Sequence, residues 1–150
     1  ADGLATGMPV ISPVKGVVGY IQDVSEHLAT IRSLLHKETY ISVSIKKNNA
    51  VGSLIWGEGN FDYRKAQIKD IPNHFRLALK DTVVTSGFSS FPKDILVGTV
   101  SNTGISAGQN FKTIEINLFN DFSTLQYVYV IKDKYAQEQK VLEAKLQNEQ

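Results

Sequence analysis

The sequence predicts an all-β protein, and three observations lead there. Turn residues punctuate the chain at short intervals, at Gly7, Gly16, Gly19, Asn48-Asn49, Gly52, Gly57, Gly59, Gly87, Gly98, Gly104 and Gly108. The stretches between them are rich in β-branched and aromatic residues, and the clearest alternate with period two, the signature of half-buried strands. Finally, sliding the chain by 79 positions lays DGLATGMPVISPVKGVVGYI (2–21) over DTVVTSGFSSFPKDILVGTV (81–100), with Asp2, Thr6, Pro13, Val18 and Gly19 matching Asp81, Thr85, Pro92, Val97 and Gly98.

Taken in order, the first expected strand is Val17–Ile21, preceded by a proline and carrying Gly19 within it. Residues 25–35 are ambiguous on their own. Leu28, Ile31, Leu34 and Leu35 share a helical face and Ser25 suits an N-cap. The repeat decides for a strand, because 28–35 falls on the alternating run 112–118. Tyr40–Ile45 and Thr113–Leu118 alternate cleanly. Ser53–Trp56, Val83–Thr85, Leu96–Val100 and the apolar run Leu125–Ile131 are among a set of about ten candidate strands. Each repeat carries a proline followed six residues later by glycine, where a side chain would obstruct a barrel corner. This organisation predicts a first β-subdomain over 1–50, then a connector and second β-subdomain over 51–132, with strands in 112–131 free to return to the first. Residues 133–150 change to Lys, Gln, Glu, Ala and Leu. They are expected to form a short helix or a frayed tail, with Tyr135, Leu142 and Leu146 as a thin stripe for a coiled-coil-like contact.

Composition narrows the function classes. At 150 residues the chain is long enough for one domain or two small fused ones. Its 42% apolar and 21% charged residues are those of a globular protein rather than a disordered one. A net charge of +1, without a basic stripe interleaved with aromatics, argues against a nucleic-acid partner. The absence of cysteine excludes disulfides and thiolate metal sites. No segment approaches the roughly 20 apolar residues of a membrane span, and ADGLATG lacks the pattern of a signal peptide. The chain is therefore expected to be soluble, whether whole or excised from an anchored or exported protein.

Chemistry finds little purchase. Ser86, Ser89 and Ser90 are candidate nucleophiles, His27, His36 and His74 candidate bases, and Asp81 or Asp94 the orienting acid. The G-x-S-x-G elbow is missing, however, and such hydroxyls equally serve strand ends and turns. The histidines lack the spacing of a zinc site, and GEGNFD has too few oxygen donors for a calcium loop. The glycines form neither a dinucleotide nor a Walker pattern. No catalytic, cofactor or metal residue is expected. Most aromatics belong in a core, leaving Tyr127 and Tyr129 on the edge for a partner.

At this point the motifs carry a resemblance. DTVVTSGFSSFPKDILVGTV closely resembles the signature of the MreC family of rod shape-determining proteins, GD-x-V-V-T-S-G followed by F-P-x-G-I-P-V-G-x-V. GMPVISPVKGVVGYIQDVS, VGSLIWGEGN and NDFSTLQYVYVIKD are similar to further family segments, in the right order from Met8 to Lys132. The matching motif residues are Gly16, Gly19, Gly52, Gly57, Gly59, Asp81, Thr85, Ser86, Gly87, Phe91, Pro92 and Gly98, all read as structural. The chain departs from the pattern at Lys80 and Asp94, where the family usually has glycine, and at Leu96, where it has proline. The loop at 88–94 is thus expected to be shaped for a lineage-specific partner, which adds Phe88 and Asp94 to the candidate surface. The resemblance implies two six-stranded β-barrels side by side, behind a membrane helix and coiled coil, on the extracytoplasmic face of the bacterial inner membrane. It implies a non-enzymatic scaffold of the cell-elongation machinery that self-associates as dimer or filament. The implied partners are a class B penicillin-binding protein, MreD and, indirectly, the actin-like MreB. The rival expectations are a serine hydrolase on a double β-barrel, or a glycan- or ligand-binding module with a groove lined by Trp56 or several tyrosines.

Overall fold

The apolar positions that alternate along residues 41–118 become the lining of one closed barrel. The computed structural model describes residues 3–58, 61–88, 91–132 and Leu146. Its strands are β1 (Pro9–Ile11), β2 (Val17–Val24), β3 (Ala29–Ser33), β4 (Ile41–Ile45), β5 (Val51–Ile55), β6 (Lys65–Pro72), β7 (Thr82–Thr85), β8 (Leu96–Ala107), β9 (Phe111–Leu118) and β10 (Tyr129–Val130). The barrel runs β4-β5-β6-β9-β8-β7 and closes where β4 pairs with β7; every pairing is antiparallel.

Ile41, Val43 and Ile45 of β4 point inward, as do Ile68 and Ile71 of β6 and Ile114 and Ile116 of β9, all at most 2% exposed. Branched side chains pack well on a pleated surface, which is why these strands form and why they close on this face. Closure also needs bends. The register shifts in β6 between Ile68 and Ile71, in β7–β8 at Val83/Val84, and in β8–β9 beyond Val100. Bulges of this kind sharpen the twist and let a six-stranded sheet meet itself. Gly52 lies beside the first of them: a Cβ there would sit 2.6 Å from Ile68 Cγ2 and 2.7 Å from the Lys69 carbonyl oxygen.

The remaining strands form an open four-stranded sheet, β10-β1-β2-β3, over a smaller core of Val10, Val18 and Ile21 backed by Phe122, Leu125 and Val128. Among the described residues these strands make an open sheet and not the expected second barrel. β1 has three residues and β10 two, the outer strands β3 and β10 do not pair with each other, and Ala29–Ile31 of β3 is exposed. Sheet membership changes between β3 and β4, since β4 pairs with β5 and β7. The run Leu125–Ile131 yields only the two residues of β10, which do return to β1, while β9 stays in the barrel. The expected tail helix lies outside the described residues, apart from Leu146.

Residues 29–33 are extended, as expected from the sequence. Ser25 caps no helix; its hydroxyl accepts from the Leu28 N–H at 3.1 Å and its own N–H donates to the Leu28 carbonyl at 2.7 Å, making the β2–β3 turn. Local geometry recurs at the 79-residue offset. Lys15 and Asp94 both have positive φ, 67° and 72°. At Gly19 and Gly98 a Cβ would stand 2.1 Å from the carbonyl oxygen of the facing strand, of Arg32 and Asn117 respectively. These likenesses stop short of a second barrel.

Replacing Gly98 or Gly19 by alanine should cost about 1–3 kcal/mol each through overpacking against backbone. The expected drop in melting temperature is roughly 3–10 °C. Gly104→Ala, whose nearest neighbour would be 3.6 Å away, is the matched control and should melt like the parent.

Candidate functional site

The segment after β7 is held by Thr85, which is fully buried. Its hydroxyl donates to the Pro92 carbonyl at 2.6 Å and accepts from the Ile95 N–H at 2.9 Å. Its backbone N–H donates to the Ile95 carbonyl and its carbonyl accepts from the Asp94 N–H. One side chain thereby ties both ends of the loop 86–94. Phe91 anchors the loop in the barrel core, and Gly87 turns it with φ at 88°, a conformation that carries no steric cost only for glycine. Pro92, Lys93 and Asp94 remain exposed, and Phe88 projects with 80% of its surface in solvent.

The hydroxyls of Thr85 and Ser86 are both hydrogen-bonded within the fold. Ser86 donates to Ser42 Oγ at 2.7 Å and accepts from the Phe88 N–H at 3.2 Å, so it joins β4 to the loop and meets no histidine. Ser89 and Ser90 lie outside the described residues, as does Gly59. His27 sits in the exposed β2–β3 turn, His36 accepts from the Glu38 N–H, and His74 stacks on Phe75 beyond β6. Asp81 accepts from the Ala78 N–H at 2.8 Å and pairs with Lys47 at 3.0 Å. Partial burial pushes its pKa up, but the Ala78 N–H and the Lys47 ammonium outweigh this and hold it below the usual carboxylate value.

Glu58 pairs with Lys69, Asp62 takes a two-nitrogen grip from Arg64, and Gly57 packs near Lys37 and Phe61. Among the described residues no three His, Asp or Glu side chains converge as metal ligands.

The surface that stands out is where sheet and barrel join. Asn120, 5% exposed, donates to the Val17 carbonyl at 2.7 Å and accepts from the Ser12 hydroxyl at 2.7 Å. Ser12 in turn accepts from the Gly16 N–H, and Gly16 bridges to Leu96 of β8. Gly16 must be bare, since a Cβ would lie 2.6 Å from Asn120 Oδ1. Beside this knot is a shallow concavity of about 370 Å³ whose apolar lining includes Pro13, Val14, Phe119, Leu125 and Tyr127. Val14, Phe119 and Tyr127 are 63%, 47% and 74% exposed. Tyr129, 61% exposed, faces Ile11 across β10–β1. Of the expected partner residues, the structure places Tyr127 on this concavity; Phe88 and Asp94 stay on the β7–β8 loop and do not line it. Sequence reading missed Val14, Phe119 and Asn120. The available signal was an apolar residue inside the turn PVKG and an aromatic next to Asn-Asp. Trp56 is not on the concavity: it packs on the barrel core, edge-on to Phe61, with its indole N–H donating to the Asp62 carbonyl.

Comparison with known proteins gives a consistent answer. The family model for "Rod shape-determining protein MreC, barrel core" matches residues 1–132. A search of curated proteins gives no match. Among solved structures, MreC from Pseudomonas aeruginosa superposes with a TM-score of 0.76 at 23% identity, over 87% of this chain and 83% of that one. MreC from Listeria monocytogenes gives 0.78 at 26% identity, over 87% and 63%. MreC from Helicobacter pylori, solved in complex with the penicillin-binding protein PBP2, gives 0.69 at 21% identity, over 87% and 81%.

Two outcomes test the local readings. Thr85→Val removes the hydroxyl that ties the loop and leaves the Ile95 N–H without that acceptor, which should cost about 2 kcal/mol. Amides of 86–95 should then exchange faster in hydrogen–deuterium measurements. For Asp81, a folded pKa below the unfolded one means its stabilisation is present at neutral pH and is lost as pH falls through the folded value. Asp81→Asn should therefore lower stability at pH 7 and flatten the loss seen below about pH 4, read from denaturant midpoints across pH.

Proposed function

The chain belongs to the MreC family of rod shape-determining proteins, and from that membership we propose that it is a non-enzymatic scaffold of the bacterial cell-elongation machinery. The observation that carries this reading is the family match over 1–132, joined to a shared fold with a relative solved in complex with a penicillin-binding protein. A class B penicillin-binding protein is accordingly the first expected partner. MreD, an MreB-linked complex and further copies of this chain follow from the family reading, and relatives described as a cell shape-determining filament support the last. The same relatives, described as a periplasmic domain, support a place on the extracytoplasmic face of the inner membrane, held by an anchor ahead of this region. We also retain descent of the two β-units from one duplicated unit, supported by Gly19 and Gly98 playing the same part.

The mechanism is binding. Val14, Phe119 and Tyr127 at the junction, with Tyr129 beside them, are exposed aromatic and apolar anchors of the kind that dominate interface energy. Phe88 and Asp94 extend the candidate surface on the β7–β8 loop. Confinement of both partners to one membrane raises their effective concentration, so modest contacts suffice. A hydrolase reading has no support from Ser86, whose hydroxyl is bonded to Ser42.

Isothermal titration of this domain against the ectodomain of its cognate penicillin-binding protein should give a complex. Tyr127→Ala and Phe119→Ser should each weaken it about tenfold, a loss of about 1.4 kcal/mol, with little change in melting temperature. No complex at high micromolar concentration, with the fold verified, would overturn the scaffold reading. Parent-like binding by both variants would move the interface away from the junction.

A further inference from the structure

The end of the barrel far from the open sheet is built differently from the rest of the surface. Three segments meet there: the β4–β5 turn at 46–50, the connection 73–81, and the tip of the β8–β9 hairpin. Asn48 binds the first to the second by donating to the Arg76 carbonyl at 3.1 Å. Asn73 and Lys112 bind the second to the third, through the Gly108 and Gln109 carbonyls and the Phe75 carbonyl. The three therefore form one tied surface.

Its charge is one-sided. Lys46, Lys47, Arg76, Lys80 and Lys112 stand there against Asp81 and the neighbouring Asp70, so five of the 16 basic and two of the 15 acidic residues are at this end. The remainder, with 11 basic and 13 acidic residues, is net acidic although the whole chain is +1. Asp81 is already paired with Lys47, while Lys46, Arg76 and Lys80 have no ion-pair partner among the described residues. Among these cations stand exposed apolar side chains: Leu79 at 62%, Phe111 at 52% and Ile105 at 37%.

Lys80 sharpens the point. Its φ of 71° is in the left-handed region, where a lysine is strained and a glycine is not. Lys80 thus adds a charge to this end in a conformation that glycine would adopt without strain. The surface is also formed by turns and a hairpin tip, and the concavity near Tyr127 lies at the opposite end of β9. Protruding apolar side chains among unpaired cations suit a broad, deformable, negatively charged partner into which they can sink.

We propose that this end of the barrel docks on the surface of an anionic phospholipid bilayer, with Leu79 and Phe111 entering the headgroup region and Lys46, Arg76 and Lys80 facing lipid phosphates. This is separate from the junction surface and does not depend on the scaffold reading.

Cosedimentation with mixed phosphatidylglycerol/phosphatidylcholine vesicles and with pure phosphatidylcholine vesicles tests it. The protein should pellet with the anionic vesicles alone and be released by salt. Lys46→Glu and Arg76→Glu should weaken partition at least fivefold each, on the basis of about fivefold per cation removed. Leu79→Ser, at an exposed position, should weaken it severalfold with an unchanged melting temperature. Lys80→Gly is the decisive variant. It should raise the melting temperature by about 3 °C through relief of strain while weakening partition about fivefold. Equal partition on both vesicle types, no partition, or parent-like partition by the charge variants would overturn the proposal. So would parent-like behaviour of Leu79→Ser together with full competition by a soluble polyanion, which would assign the patch to a polymer instead.

Discussion

The pairing of β4 with β7 is the constraint on which the rest depends. Val43, Ser44 and Ile45 meet Thr85, Val84 and Val83, and this one ladder turns an open sheet into a barrel. With it closed, Ile41, Val43 and Ile45 are sealed from water alongside Val83, Ile114 and Ile116. It also sets Ser42 against Ser86 and fixes Thr85 as the post on which the following loop is tied. Hydrophobic burial supplies the drive, while the bare backbone at Gly52 and Gly98 lets strands approach closely enough for it to act.

Much of this was legible in residues whose signal is local. Period two in 40–45 and 113–118 gave β4 and β9, and comparison of 28–35 with 112–118 corrected a helical-looking pattern to the strand β3. At Gly16, Gly19, Gly52 and Gly98 an added Cβ would meet a neighbouring group within 3 Å. What was not legible is long-range. Whether a strand joins a barrel or an open sheet depends on partners far along the chain, as β4 depends on β5 and β7. The run Leu125–Ile131 is rich in β-formers, yet Leu125 and Val128 pack as a cover on the small core and only two residues find a ladder. Thr85 looked like turn chemistry and is more, because its two hydroxyl bonds reach residues seven and ten positions away.

The candidate junction surface was half legible for a similar reason. Tyr127 and Tyr129 declare themselves as aromatics on an edge. Val14 and Phe119 become a surface only because Asn120 draws the β1–β2 turn against the end of β9. The amide accounts for two buried hydrogen bonds and the vacancy at Gly16 for the space, so sheet and barrel meet through a joint of fixed geometry rather than a linker. A surface that spans such a joint presents its anchors in one arrangement, which lowers the ordering cost of binding.

The open sheet has a further consequence. Among the described residues its outer strands are β3 on one flank and β10 on the other, and they differ in length, exposure and sequence. A unit with two unlike flanks has polarity. If like flanks meet, β3 against β3, a two-fold axis relates the copies and growth stops at two. If β3 of one copy meets β10 of the next, the operation leaves a fresh flank at each end and gives a ring where the rotation closes and a filament where it does not. Dimer, ring and filament are then symmetries available to the same open sheet.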